Sequence, residues 1–206
     1  MAEQQAITIL GLTKSYGKVK ALRGIDLEVQ QGEIFGFLGP NGAGKTTTIR
    51  CALDLIRPDG GSIRVLGIDP QADPVAVTAR TGYLPGELML DDNLSGESQL
   101  RFLNDLRGRK ADWKYVRGLA DRLDLDLKRP IRNLSKGNKV KVGLVQALMH
   151  RPELLLLDEP TFGLDPLMQQ EVLRLLVEAK RSGATVFFSS HILSEVQAVA
   201  ERVGII

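Results

Sequence analysis

The stretch GPNGAGKTT, residues 39–47, constrains the fold of this chain more than any other part of its sequence. The apolar run EIFGFLG leads into it as a predicted buried strand, and KTTTIRCALDLI follows as a predicted helix. Glycines let such a turn point successive N–H groups at one anion, and the positive end of the helix faces the same point. The pattern G-x-x-x-x-G-K-[ST] therefore predicts a phosphate-binding loop.

Two residues of this loop have predicted roles of their own. Lys45 is expected to reach the β- and γ-phosphates of a nucleotide, and the Thr46 hydroxyl is expected to hold Mg²⁺. A glycine turn capped by a helix is the structural alternative, but at average composition the pattern arises by chance in roughly one chain of this size in a hundred. The residues expected to bind the nucleotide are Gly39, Pro40, Asn41, Gly42, Ala43, Gly44, Lys45, Thr46 and Thr47.

A pair of acids, Asp158 and Glu159, directly follows the apolar run LLLL. Carboxylates at the C-terminal end of a parallel strand lie at the crevice where open α/β sheets bind ligands. Asp158 is predicted to bind Mg²⁺, and Glu159 to orient and deprotonate an attacking water. His191 ends the next apolar run and is predicted to contact the γ-phosphate or that water. The alternatives are two solvated loop acids and a structural histidine.

The composition fits one compact domain and argues against several classes of protein. The chain has 206 residues, 43% of them hydrophobic, and a net charge of +2, which is too small to indicate a nucleic-acid partner. The single cysteine, Cys51, excludes an internal disulfide and is predicted to be a core residue. No stretch approaches the roughly 18 apolar residues needed to span a bilayer, and the N-terminus lacks the features of a signal peptide. The sequence therefore predicts a cytosolic protein.

Hydrophobic periodicity divides the chain into sheet and helical parts. Near the N-terminus, Ile25, Leu27 and Val29 alternate with polar residues, which is typical of a half-buried strand in an antiparallel sheet. GSIRVLG is predicted as an edge strand, and TGYLP, ELLLLDEP and ATVFFSSH as buried strands. Residues 88–141 instead repeat apolar positions at helical spacing. Strands that alternate with helices predict a right-handed, parallel α/β sheet, here with a mostly helical insert.

Three further elements are predicted from local signals. PLMQQEVLRLLVEAKRSG is predicted to form a helix with Pro166 in its first turn and Gly183 beyond its end. In NLSKGNKVK, Ser135 is predicted to cap the start of another helix. The final ERVGII is predicted to open a buried strand, and the fold is expected to continue beyond Ile206.

Six short motifs stand in a characteristic order. They are SYG at residues 15–17, GPNGAGKTT, LSKGN, LLLLDEP, GLD and SSH. Ser135 follows Lys45 by 90 positions, Glu159 follows Ser135 by 24, and His191 follows Glu159 by 32. In order and spacing this set resembles the ABC-type ATPases. The chain looks like the nucleotide-binding subunit of a bacterial, export-type ABC transporter, and the resemblance covers nearly all of it.

This resemblance implies a fold class and a set of partners. The expected fold is α/β, with a phosphate-loop NTPase core of the RecA-like type, an N-terminal antiparallel β subdomain and an inserted helical subdomain. Residues 1–206 would form a single, C-terminally truncated domain, with 1–87 and 142–206 in the core and β subdomain and 88–141 in the helical subdomain. Two such chains would sandwich two ATP molecules with Mg²⁺. ATP hydrolysis would drive transmembrane permease subunits from the cytoplasmic face of the cell membrane.

The resemblance also implies roles for residues outside the phosphate loop. Tyr16 matches the aromatic residue that stacks on adenine. Ser135 and Gly137 match the signature loop, which contacts the γ-phosphate held by the opposite subunit. Asp165 matches the loop that couples the two sites across the dimer. Each site would therefore be built from two chains.

The sequence departs from the family pattern at three places. The family usually carries a glutamine after the strand that reads YLP here, whereas this chain has Gly86 followed by Glu87. Glu87 is the candidate to replace that glutamine as a ligand of Mg²⁺. The signature reads Ser-Lys-Gly-Asn rather than Ser-Gly-Gly-Gln, but asparagine still donates and accepts hydrogen bonds. Phe162 stands where a small or polar residue commonly precedes GLD.

Other classes share some of these motifs. Chromosome ATPases of the SMC type insert a long coiled coil, for which the 90 positions before Ser135 leave no room. Translation factors of this family carry two sets of motifs in one chain, and GTPases require an N-K-x-D motif that fails here at its last position. A soluble ABC-type ATPase that acts on ribosomes or DNA is the alternative to a transporter subunit.

Overall fold

Two β-sheets organise the protein, whose computed structural model describes residues 4–108 and 111–206. In chain order the strands are β1 (Gln5–Tyr16), β2 (Val19–Gln30), β3 (Ile34–Leu38), β4 (Gly60–Val65), β5 (Thr81–Leu84), β6 (Leu154–Asp158), β7 (Thr185–Ser190) and β8 (Arg202–Ile205). The first sheet is antiparallel, in the order β2-β1-β4, and the second is parallel, in the order β5-β6-β7-β3-β8. The predicted α/β class, with an antiparallel sheet at the N-terminus, is confirmed.

The helices pack around the parallel sheet and form the insert. They are α1 (Lys45–Ala52), α2 (Pro74–Arg80), α3 (Gly96–Leu106), α4 (Trp113–Arg122), α5 (Lys136–Leu148), α6 (Pro166–Arg181) and α7 (Leu193–Val199), with a short 3₁₀ helix at Ile131–Asn133. The helical character predicted for residues 88–141 is confirmed by α3, α4 and the start of α5. Helix α5 runs on through the expected subdomain boundary at residues 141 and 142, so the insert and the core share one helix.

The alternation of side chains along the strands explains the apolar runs. In β2, Leu27 and Val29 are buried while Glu28 between them is exposed, as predicted for a strand with one solvated face. In β6, by contrast, neighbouring leucines enter different cores. Leu155 and Leu157 pack with helices α5 and α6, whereas Leu154 and Leu156 pack with α1 and the antiparallel sheet. A strand that is covered on both faces needs an unbroken apolar sequence.

Ion pairs fasten the helical insert to the core. Arg122 at the end of α4 donates to Glu171 on α6 at 2.7 Å and to Glu178 on α6 at 2.9 Å.

Cys51 is buried among apolar side chains, and this burial raises the pKa of its thiol to about 11. The prediction that Cys51 is a core residue is confirmed.

Two elements differ from the prediction. The helix expected over KTTTIRCALDLI ends at Ala52, because the chain turns there and Asp54 adopts a left-handed conformation with φ of 51°. The prediction of a buried strand in ERVGII is wrong in its burial: Val203 is 45% exposed and Ile205 is 80% exposed. Among residues 4–108 and 111–206, strand β8 pairs with β3 alone and lies at an edge of the sheet. Within the described ranges, no helix combines the length and apolar character that crossing a membrane requires.

Candidate active site

The predicted phosphate loop joins β3 to α1 at the C-terminal edge of the parallel sheet. Gly42 and Gly44 have φ of 83° and 111°, in the left-handed region that glycine adopts without strain. Gly44 is also irreplaceable by size, since a Cβ there would lie 2.7 Å from the carbonyl oxygen of Ala21. A cavity of about 170 Å³ opens above the loop, and its lining comprises Ala21, residues 40–47 and Glu159. The fold therefore shapes this turn into an open cradle beneath a helix end.

Lys45 is the charged centre of the cradle and is only 5% exposed. Its Nζ donates to the carbonyl oxygen of Gly39 at 2.6 Å and to that of Pro40 at 3.2 Å. The same Nζ lies 3.1 Å from Oε1 of Glu159, which comes from the end of β6. Lys45 thus links the phosphate loop to the acid pair, and both Lys45 and Glu159 line the cavity.

Thr46 and Asp158 meet although they are 112 positions apart: the hydroxyl of Thr46 donates to Oδ2 of Asp158 at 2.6 Å. Asp158 is 2% exposed, and hard oxygen donors of this kind suit Mg²⁺. Among residues 4–108 and 111–206, no group of three or more His, Cys, Asp or Glu side chains could hold a metal by itself. The site fits an ion that takes one or two protein oxygens and completes its shell with water and nucleotide phosphates, as Mg²⁺ commonly does.

Gly86 borders the same carboxylate. A Cβ at this position would lie 2.9 Å from Oδ2 of Asp158, so a glycine here leaves the space beside that oxygen without a side chain. Glu87 follows in the exposed loop after β5 and makes no hydrogen bond or ion pair with the described part of the chain. Its predicted role as a metal ligand stays a prediction.

Glu159 occupies a special backbone position at the end of β6. Its φ of 53° is unusual for a residue with a side chain, and such conformations concentrate at functional sites. Oε2 of Glu159 lies 2.8 Å from Nδ1 of His191, while Oε1 faces Lys45. The structure thus brings Lys45, Glu159 and His191, from three separate parts of the chain, into one row of contacts.

Ser189 takes part in this site although the sequence assigned it no role. Its hydroxyl, which is fully buried, donates to Oδ1 of Asp158 at 2.6 Å and accepts the backbone N–H of Glu159 at 3.0 Å. The available signal was its place in the motif SSH, at the C-terminal end of a buried strand. That β7 pairs with β6, opposing Ser189 to Asp158, became visible only in the sheet.

Tyr16, the predicted adenine platform, lies at the end of β1 and is 49% exposed. The Nζ of Lys14 lies 5.8 Å from the centre of its ring, a distance typical of a cation–π contact. Within the described residues, Tyr16 is not part of the lining of the cavity above the phosphate loop. Its role in stacking on a base stays a prediction that its exposure permits.

The signature residues lie at the start of α5 and belong to a second surface. Ser135 is exposed and caps the helix, its side chain accepting the backbone N–H of Asn138 at 3.2 Å, as predicted. Gly137 packs so closely on the GLD loop that a Cβ would lie 2.8 Å from the carbonyl oxygen of Gly163. Asp165 caps α6 by accepting from two backbone N–H groups at 3.1 Å. In the described chain none of the predicted signature or coupling residues lines the cavity above the phosphate loop.

Phe162 lies between these two surfaces. Its ring is 46% exposed, with the Nζ of Lys136 4.4 Å from its centre and the ring of His191 6.5 Å away, centre to centre. The unusual residue before GLD therefore contacts both the signature helix and the histidine of the acid site.

Comparison with known proteins adds independent information. The sequence profile of the ABC transporter family matches residues 22–162. An uncharacterized ABC transporter ATP-binding protein of Nostoc sp. is 42% identical over 195 residues, which are 92% of this chain and 58% of that protein. The bacitracin transport ATP-binding protein of Bacillus licheniformis is 40% identical over 198 residues, which are 95% of this chain and 64% of that protein. The chain thus spans less than two thirds of the length of these relatives.

A solved structure supports the same relationship. The ATP-binding subunit of an ABC transporter superposes with a TM-score of 0.88 at 30% sequence identity. The match covers 98% of this chain and 85% of that structure. The two-sheet architecture described above is therefore shared with a solved ATP-binding subunit of an ABC transporter.

Proposed function

The chain belongs to the ABC transporter family, and from that premise we propose that it binds ATP with Mg²⁺ and hydrolyses it as the nucleotide-binding subunit of an export-type transporter. The observation that carries the proposal is the convergence on Glu159. One carboxylate oxygen lies 3.1 Å from the Nζ of Lys45, and the other lies 2.8 Å from Nδ1 of His191. A carboxylate between a phosphate-binding lysine and a histidine is placed for proton transfer beside a γ-phosphate.

The phosphate loop supplies the binding. Backbone N–H groups of residues 39–47 and the positive end of α1 would surround the phosphates. The ammonium of Lys45 would exchange the carbonyl oxygens of Gly39 and Pro40 for phosphate oxygens, which carry more charge and make stronger hydrogen bonds. Thr46 and Asp158 would hold Mg²⁺, which would spread the charge that develops on the phosphates.

Glu159 and His191 supply the chemistry. While Lys45 pairs with Oε1 of Glu159, that oxygen is engaged. A bound γ-phosphate competes for the lysine and leaves Oε1 able to accept a proton from water. His191, in contact with Oε2, keeps the carboxylate oriented during that transfer. The water then attacks the γ-phosphorus in line with the leaving oxygen of ADP.

A second copy of the chain is part of the proposal. The start of α5 presents Ser135 and Gly137 on a surface separate from the phosphate loop, so these residues would contact the nucleotide of a partner chain. Asp165, beside them in the GLD loop, would couple the two sites, and Tyr16 would stack on adenine. Transmembrane permease subunits would complete the transporter at the cytoplasmic face, with the core and helical insert acting as one ATPase domain. A relative named for bacitracin transport supports the role in a transporter.

Replacing Glu159 by glutamine tests the proposed chemistry. Glutamine keeps the size of the side chain and cannot accept the proton, so ATP hydrolysis should slow by roughly 10²–10⁴-fold. Binding of a fluorescent ATP analogue should persist. Turnover is measured by phosphate release.

Glu153→Gln is the matched control, since Glu153 lies just before the same strand and pairs with Arg80 at the other end of it. This control should hydrolyse ATP like the wild type. Near-normal turnover in Glu159→Gln would remove Glu159 from the role of the base.

A further inference from the structure

We propose that Ser189 is a positioning residue that sets the orientation of both acids of the site through a single hydroxyl group. The inference rests on the proposed ATP hydrolysis and concerns how its acids are held. Ser189 donates to Oδ1 of Asp158 at 2.6 Å and accepts the N–H of Glu159 at 3.0 Å. Because a carboxylate only accepts and a backbone N–H only donates, the direction of both hydrogen bonds is fixed. The hydroxyl of Ser189 therefore uses its proton on the carboxylate of Asp158 and a lone pair on the backbone N–H of Glu159.

The first bond selects which oxygen of Asp158 faces the metal site. With Oδ1 held by Ser189, the carboxylate plane is fixed and Oδ2 points to the hydroxyl of Thr46, 2.6 Å away. Gly86 leaves the space beside Oδ2 without a side chain. Ser189 thereby leaves a single oxygen of Asp158, Oδ2, to face an ion held by Thr46 and Asp158.

The second bond holds Glu159 in its unusual backbone conformation. At φ of 53° the chain turns sharply out of β6, and the N–H of Glu159 points back to Ser189 on the neighbouring strand. This turn carries the side chain of Glu159 between Lys45 and His191. Loss of the bond removes one of the contacts that stabilise a conformation which residues other than glycine rarely adopt.

Burial makes the hydroxyl difficult to replace. Ser189 is fully buried, so water does not take over its two hydrogen bonds without displacing the packed strands. Residues that orient metal ligands in this way commonly change metal affinity or activity by about 10–100-fold when they are mutated. A similar loss is expected here.

Ser190 offers an internal comparison of the same chemistry. It is also fully buried, its hydroxyl donates to Oε2 of Glu195 at 2.6 Å, and it accepts the backbone N–H of Ile192 at 3.0 Å. Two adjacent serines therefore make the same pair of hydrogen bonds, one to the acid pair and one to a carboxylate on α7. A purely structural role predicts similar consequences for both.

The test compares Ser189→Ala, Ser189→Cys and Ser190→Ala with the wild type. Affinity for Mn²⁺ is measured by the electron paramagnetic resonance signal of the free ion, in the presence of a non-hydrolysable ATP analogue. kcat and KM for ATP are measured at saturating Mg²⁺. Both Ser189 variants should bind Mn²⁺ about 10–100-fold more weakly and lose kcat with little change in KM. Ser190→Ala should keep an Mn²⁺ affinity within about twofold of that of the wild type, since neither hydrogen bond of the Ser190 hydroxyl involves Asp158 or Thr46.

The outcomes separate this inference from the proposed function. Equal losses in Ser189→Ala and Ser190→Ala, or wild-type Mn²⁺ affinity in Ser189→Ala, would overturn the role of Ser189. Cysteine fills the space of serine and is a weak donor, so Ser189→Cys decides the matter where the alanine variant does not fold. If the wild type binds Mn²⁺ and nucleotide but hydrolyses no ATP, the proposed function fails, while the Mn²⁺ affinities still test Ser189.

Discussion

Helices α1 and α5 both begin with a lysine, and their first turns differ in ways that explain their proposed parts in ATP hydrolysis. Helix α1 starts from Gly44, whose φ is 111° and which provides no side-chain cap. Lys45 beside it is buried and contacts Glu159. Helix α5 starts from Ser135, which caps the helix through the N–H of Asn138. Lys136 there is exposed, lies over the ring of Phe162 and has no carboxylate partner among the described residues.

The two helix starts differ in how many of their backbone N–H groups already have a hydrogen-bond partner. The four N–H groups at a helix start lack partners within the helix. At α1 no side chain of the described residues caps them, and the acids at the end of β6 lie opposite, so in the proposed mechanism one chain would supply both the anion site and the attacking chemistry. At α5 one N–H is already satisfied and the end faces solvent. We infer that α5 supplies a second contact to a phosphate that another chain holds.

The largest effect is expected from removing the lysine of α1. Lys45→Ala should weaken binding of an ATP analogue by about 100-fold, because hydrogen bonds to charged groups contribute roughly 1.5–3 kcal/mol each. It also leaves Glu159 without its cation. Isothermal titration calorimetry measures the affinity.

The equivalent change at α5, Lys136→Ala, should alter that affinity by less than about twofold, since Lys136 is exposed and its contact is with an aromatic ring. Similar losses in both variants would erase the distinction between the two helix starts.

A smaller effect is expected from removing the cap of α5. Ser135→Ala should destabilise the protein by about 1 kcal/mol, as loss of a serine cap does, and should slow ATP hydrolysis by about tenfold through the lost contact with the partner's nucleotide. Urea unfolding and phosphate release measure the two quantities.

Ser95→Ala is the matched control, because Ser95 caps α3 in the same way, accepting the N–H of Ser98 at 3.1 Å. It should lose comparable stability and keep its hydrolysis rate. An unchanged rate in Ser135→Ala would reduce Ser135 to a helix cap.

The smallest effect concerns pH and the other end of α5. His150 follows that end, and burial, with a contribution from the Arg107 guanidinium, lowers its pKa from 6.5 to about 4. The unfolded chain therefore takes up a proton as the pH falls through 6.5, whereas the folded chain does not do so until about 4. Stability should fall between pH 7 and 5 by on the order of 1 kcal/mol, an amount reduced by the partial exposure of the ring.

His150→Gln should remove this part of the pH dependence, and His191→Gln, the change at the other histidine, should keep it. Urea unfolding at pH 7 and pH 5 gives the comparison. A wild-type pH dependence in His150→Gln would assign the loss of stability to other groups. The loss of stability on acidification would then not arise at the C-terminal end of α5.

Much of the fold followed from local patterns. The glycine turn at residues 39–47, the alternation in β2 and the capped starts of α5 and α6 depend on nearby residues, so their types and approximate positions were predictable. The position at which α1 ends and the exposure of β8 were not predictable from such local patterns. The first depends on a turn at Asp54, and the second depends on which strands lie beside β3.

The sequence by itself determined the chemical groups of the site and the order in which the chain presents them. Only the tertiary structure decided which groups meet. Strands β6, β7 and β3 lie side by side, so the residues that follow them converge at one edge: Thr46 reaches Asp158, Lys45 reaches Glu159, and Ser189 reaches both acids. Strand order is set by the packing of the whole sheet, because hydrogen bonding and burial depend on neighbours that are distant in the sequence. A local pattern therefore identifies a loop, an acid or a cap, and the order of the strands in the sheet brings these residues together in one site.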